Sequence, residues 1–127
     1  MRSGLIAAVS VLCMATTAHA AQLLSAGTIY GGPAQTRAVC YIYNSGTTPL
    51  FLSGTQLADQ NGTVQPLVVN QCGATLSPGT ACGIAAVAAG NTVYSCKTMV
   101  APGKATARGI LEVRDAAQRT LQNVELR

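Results

Sequence analysis

The sequence predicts an all-β fold: an antiparallel two-sheet sandwich of seven to eight short strands held by two disulfides. Three observations carry this expectation. Short runs alternate apolar and polar residues with a period of two. Gly, Pro and Asn turn signals separate those runs at roughly 8–12-residue intervals, as in sandwiches and barrels. Four cysteines lie in the part of the chain that carries the runs. The 127 residues are 49% apolar and only 9% charged, against ~25% charged in an ordinary soluble domain. That length supports one domain, and the scarcity of charge excludes an intrinsically disordered chain.

The N-terminus has the three parts of a secretory signal peptide. Met1-Arg2 supplies the charge, Leu5 to Ala15 the apolar stretch, and Ala18-His19-Ala20 the small residues before a cut at Ala21. The apolar run is too short to span ~30 Å of hydrocarbon as a helix. A lipid anchor would need a cysteine at the cut, but Cys13 lies within the apolar stretch and Ala21 follows the site. The expected organisation is therefore a cleaved signal, residues 1–20, and one domain, residues 21–127, in the periplasm or secreted. Cleavage removes His19, the sole histidine, and leaves seven basic and four acidic residues, a net +3. The basic residues are interleaved with acidic ones and form no stripe, which argues against a nucleic-acid partner.

Cys40, Cys72, Cys82 and Cys96 are an even set in a small exported chain, the signature of two disulfides in an oxidising compartment. Three pairings are open. Cys72 and Cys82 flank a segment with the turn signal Pro78-Gly79, which favours Cys72–Cys82 and leaves Cys40–Cys96. A four-cysteine zinc site would need two closely spaced pairs, whereas the spacings are 32, 10 and 14 residues.

The strands are expected in the following order. Gly27–Gly31 is a short first strand. Thr36–Asn44 alternates, with Ala38, Cys40 and Ile42 on one face and Val39, Tyr41 and Tyr43 on the other, and Asn44-Ser45-Gly46 ends it. Pro49–Ser53 follows, broken by Gly54. Asn61-Gly62 predicts a type I′ hairpin turn leading into Thr63–Asn70, an edge strand because Pro66 cannot donate to a ladder. Asn61-Gly62-Thr63 also matches a glycosylation acceptor, but turn chemistry accounts for it. Cys82–Ala89 is Ala-rich yet short and flanked by glycines, and is assigned as a strand. Thr92–Met99 alternates and carries Cys96. Ala105–Asp115 places Arg108, Ile110, Glu112 and Arg114 on one face and Leu111 and Val113 on the other, so the charged face is solvated. Arg119–Arg127 closes the chain as a final strand. A ligand-holding barrel is the alternative architecture, but its interior usually needs more chain than this.

The segments Tyr43-Asn44-Ser45-Gly46, Pro49-Leu50-Phe51-Leu52-Ser53-Gly54 and Cys72 through Pro78-Gly79 to Cys82-Gly83-Ile84 carry a resemblance. Over residues 38–88 the chain resembles bacterial immunoglobulin-like domains of the HYDIN-like, choice-of-anchor type. The resemblance implies an extracytoplasmic immunoglobulin-like sandwich with no catalytic residues to carry over. From Ala88 the chain reads AAGNTVYSC where that type usually has an aromatic-proline element.

Candidate chemistry is sparse. Without a histidine in the mature chain, a nucleophile–base system has only the arithmetic pair Ser95 and Lys97. The carboxylates Asp59, Glu112, Asp115 and Glu125 fall in turns or among arginines, unlike the facing pair of a glycosidase. No C-x-x-C or phosphate-binding loop occurs. The expectation is a non-enzymatic, cofactor-free and metal-free module for protein binding or for envelope or surface assembly, its partner a protein in the envelope or extracellular space. Tyr41 and Tyr43, joined by Tyr30 or Tyr94, are the expected contact surface; the competing role for them is packing against the opposite sheet. Two other functions fit the composition: a pilus-like subunit that exchanges Arg119–Arg127 between copies, and a small secreted inhibitor or ligand-binding barrel.

Overall fold

A computed structural model describes residues 20–127, and all but the last residue of the expected signal segment lies outside the described residues. Nine strands follow one another: β1 (Gln22–Ile29), β2 (Arg37–Asn44), β3 (Leu50–Asp59), β4 (Leu67–Asn70), β5 (Thr75–Leu76), β6 (Ala81–Val87), β7 (Tyr94–Ala101), β8 (Ala107–Arg114) and β9 (Thr120–Glu125). All pairings are antiparallel. They form a four-stranded sheet, β1-β7-β3-β5, stacked on a five-stranded sheet, β4-β6-β2-β8-β9. This is the sandwich, and not the closed barrel.

The alternation expected for β2 and β8 holds. Ala38, Cys40, Ile42, Leu111 and Val113 are fully buried between the sheets. From the other sheet Leu24, Leu50, Leu52, Leu57, Cys96 and Val100 meet them. The core holds a single aromatic ring, Tyr94, whose hydroxyl accepts a hydrogen bond from the Ala89 N–H at 2.7 Å.

Both disulfides have the favoured pairing. Cys40–Cys96 joins β2 to β7 and so ties one sheet to the other, with a Cα–Cα distance of 6.3 Å. Cys72–Cys82 closes the loop between β4 and β6 at 4.9 Å.

Five expectations are corrected. The first strand begins at Gln22 rather than Gly27, because Leu24 and Ala26 face the core while Gly31 lies beyond the strand. A Cβ at Gly31 would stand 2.5 Å from Val113 Cγ2, so the backbone approach there needs glycine.

Gly54 does not end β3. It sits in a β-bulge, φ 61°, where the pairing with β7 slips by one residue between Ser53 and Gln56. One extra residue reverses which positions face inward. Leu50 and Leu52 point into the core before the bulge, and Leu57 does so after it. Opposite the bulge, buried Thr98 exchanges a 2.7 Å hydrogen bond with Thr55, so its hydroxyl is satisfied.

The Asn61-Gly62 hairpin forms with a different turn. Gly62 alone is left-handed, φ 76°, and its N–H donates to the Asp59 carbonyl. The Asp59 carboxylate accepts the N–H groups of Asn61 and Thr63, stabilising a tight turn without a left-handed Asn61. Past it the chain keeps one bridge to β3, Ala58–Val64, then crosses to the other sheet at Pro66. The strand expected over Thr63–Asn70 therefore shrinks to β4, at the sheet edge where Pro66 placed it. Finally, β5 lies inside the expected Cys72–Cys82 loop, a two-residue strand too short to show any period.

Buried amides fasten the two ends of the sandwich. Asn44 Nδ2 donates to the carbonyls of Thr48 and Leu76. Gln35 Nε2 donates to those of Ala89 and Thr92, while its oxygen accepts the Gly31 N–H.

Replacing both Cys40 and Cys96 by Ala should cost about 4 kcal/mol in denaturant unfolding, against about 3 for the Cys72/Cys82 pair, because the longer loop gains more chain entropy when opened. Gly54→Ala should cost about 1 kcal/mol by the same measurement: a Cβ there meets nothing within 4 Å, and only the left-handed backbone resists a side chain.

Candidate functional site

The outward residues of the five-stranded sheet form a ruled face, because antiparallel register sets side chains side by side across strands. The first row reads Val87, Arg37, Arg114, Thr120 across β6, β2, β8 and β9. The second is Ala85, Val39, Glu112, Asn123, and the third Gly83, Tyr41, Ile110, Glu125. The fourth is Ala81, Tyr43, Arg108. Tyr41 and Tyr43 thus share the outer face and do not pack against the opposite sheet. Tyr43 is 43% exposed, and Tyr41 is half-buried.

Flat neighbours make room for the Tyr41 ring. A Cβ built on Gly83 would stand 3.0 Å from the ring edge, so the ring lies against glycine backbone. The Arg114 guanidinium carbon is 5.9 Å from the ring centroid, and Arg114 Nη2 donates to the Tyr41 hydroxyl at 3.3 Å. Beside the ring runs an open groove of about 410 Å³, lined by Tyr41, Tyr43, Arg108, Ile110 and Glu125 and floored by Gly109 and Leu126. A smaller one of about 140 Å³ lies on the other flank, against Val69 and Gln71.

The charges on this face are unequal. Glu112 accepts Arg114 Nε at 2.8 Å and the Thr120 hydroxyl at 2.8 Å. Burial works to raise the Glu112 pKa, but these two hydrogen bonds and the Arg114 charge outweigh it and hold the carboxyl below its ordinary value. Arg37 stands directly across from Arg114, a like-charge pair. Among the described residues the ion pairs are Arg114–Glu112 and Arg119–Asp115, which leaves Arg37 and Arg108 without a carboxylate. Arg108 is held in place by its Nη1, which donates to the carbonyls of Ala105 and Ala107.

The other sequence candidates scatter. Tyr94 is in the core, and Tyr30 donates to the Gly90 carbonyl in a loop, so neither joins the tyrosine pair. Ser95 and Lys97 are outward neighbours on β7, with no hydrogen bond between them. Asp59 holds its hairpin turn, as above. Asp115 accepts the backbone N–H groups of Arg119 and Ala117 and the Arg119 guanidinium. Arg37, Arg108 and Ile110 join the tyrosines without a sequence signal that links them, and Glu125, a candidate only as a carboxylate, joins them too. Alternation within β8 places Arg108 and Ile110 on one face, and only strand order sets that face beside the tyrosines.

Comparison with protein-family models, with curated proteins and with solved structures finds no match to this chain.

Asp115 is held below its usual range, first by the Arg119 backbone N–H and then by the Arg119 side chain and the Ala117 N–H, against a burial effect of opposite sign. A carboxyl with a depressed folded pKa contributes stability above its unfolded pKa, ~4, and loses it as pH falls through the folded value. Unfolding followed from pH 6 downward should therefore show stability falling below about pH 5. Asp115→Asn should flatten that acid limb; an unchanged limb would remove Asp115 from the account.

Proposed function

We propose that the protein is an exported, non-enzymatic immunoglobulin-like module that binds a protein partner through the outer face of its five-stranded sheet. The observation that carries this reading is the Tyr41/Tyr43 strip, which lies outside the core, beside an open groove and among arginines. Tyr and Arg are the residue types most enriched where binding energy concentrates. A strand fixed to its sheet on both sides also loses little freedom on binding.

Location follows the same reading. Two intramolecular disulfides suit an oxidising compartment, and the signal-like N-terminus leads there, to the periplasm or beyond the cell.

The sheet edges favour docking on the face over exchange of strands. β9, the segment expected to exchange, pairs with β8 in its own chain. Just past it, Arg127 bonds Ser25 of β1 through two backbone hydrogen bonds of 3.0 and 2.8 Å, which fastens two edges together. β4 is bulged between Leu67 and Val69 and preceded by Pro66, and β5 has two residues. Bulges, prolines and short edge strands all discourage intermolecular pairing.

The test is affinity capture from an envelope fraction with the tagged, oxidised protein and its Tyr41→Ser/Tyr43→Ser variant. The variant should retain its melting temperature to within about 3 °C, as expected for side chains outside the core, and should lose the captured protein. Retention of the same partner by the variant, or polymers in size-exclusion chromatography, would sink the reading.

A further inference from the structure

We infer that the tyrosine face takes an acidic polypeptide segment in extended conformation, with carboxylates at its two ends and an apolar residue between them. This rests on the reading of the face as a docking surface and adds the chemistry of the partner.

The face has two cationic poles. At one end Arg37 and Arg114 stand opposite each other across β2 and β8, with a single carboxylate, Glu112, near them. Like charges placed side by side destabilise a sheet, and a bound carboxylate would relieve them. At the other end Arg108 has Nη1 anchored on two backbone carbonyls, so its Nε and Nη2 remain for an acceptor. A guanidinium oriented in this way is suited to bidentate capture of a carboxylate. The poles are six residues apart along β8, roughly 20 Å at the strand rise. Tyr43 stands opposite Arg108 and Tyr41 opposite Ile110. An extended segment of equal length would therefore cross the groove of Tyr41, Tyr43 and Ile110 on its way from Arg108 and lay an apolar side chain there.

The pattern separates a peptide from a nucleic acid. Glu112 and Glu125 lie between the poles on the same face, where a phosphate chain would carry charge at every nucleotide. A peptide with acidic ends passes Glu125 with its uncharged middle and meets Glu112 only where Arg114 already pairs it.

The experiment uses the full chain, expressed for export and purified with both disulfides formed. Fluorescence anisotropy would be read for three labelled peptides of about seven residues with the same leucine–phenylalanine pair between aspartate, lysine or serine ends. A short oligothymidylate is the fourth probe. The aspartate-ended peptide should bind at least about tenfold more tightly than the other three, with affinity falling as salt rises. Arg37→Gln and Arg108→Gln, each verified to melt like the parent, should each weaken it about tenfold, and Tyr43→Ser should abolish it.

Equal binding of the serine-ended peptide, still lost in Tyr43→Ser, would overturn the acidic preference and leave the docking face standing. Tighter binding of the lysine-ended peptide or of oligothymidylate would overturn it in favour of those ligands. Failure of every probe would overturn it as well.

Discussion

The Cys40–Cys96 bridge is the constraint on which the rest of the molecule depends. Cys40 lies at the middle of the five-stranded sheet, beside Ile84 and Leu111, and Cys96 lies in the four-stranded sheet between Ala26 and Leu57. The core between them is mainly aliphatic, twelve Leu, Ile and Val with five alanines and one tyrosine. A domain of this size buries a modest fraction of its surface, and small exported domains commonly add cross-links to such cores. Holding β2 against β7 also fixes where the two sheets meet at this point of the core.

That strand serves two surfaces at once. In β2 the residues Ala38, Cys40 and Ile42 are core, and the residues between and after them, Val39, Tyr41 and Tyr43, are the outer face. The bridge that stabilises the sandwich therefore also immobilises the tyrosines' backbone. Sites carried by the rigid strands of a scaffold hold their geometry better than sites on loops. Here rigidity comes from the cross-link and from amides at the two ends, Gln35 and Asn44, each of which gathers backbone groups from separate segments.

The bulge at Gly54 shows how a local irregularity serves the whole. Without it, Leu57 would face solvent and the second half of β3 would expose its apolar side. With it, one strand presents Leu50, Leu52 and Leu57 to a common core, and the polar Thr98 left facing the irregularity finds Thr55 as its partner.

Alternation and turn residues determined the all-β class and the two-faced character of β2 and β8, because each of these depends on residues near in sequence. The turn between Cys72 and Cys82 favoured that local pair, and Cys40–Cys96, 56 residues apart, followed only as the remainder. Tertiary structure decided the rest. Whether Gly54 breaks a strand or bulges it depends on β7 supplying a ladder on which to slip. That Thr75-Leu76 is a strand depends on β3 lying beside it. Tyr41 and Tyr43 acquired Arg108, Arg114 and Ile110 as neighbours because β8, far along the chain, pairs with β2. Strand order is a long-range property: it is set by which surfaces bury one another, and no window of sequence contains it.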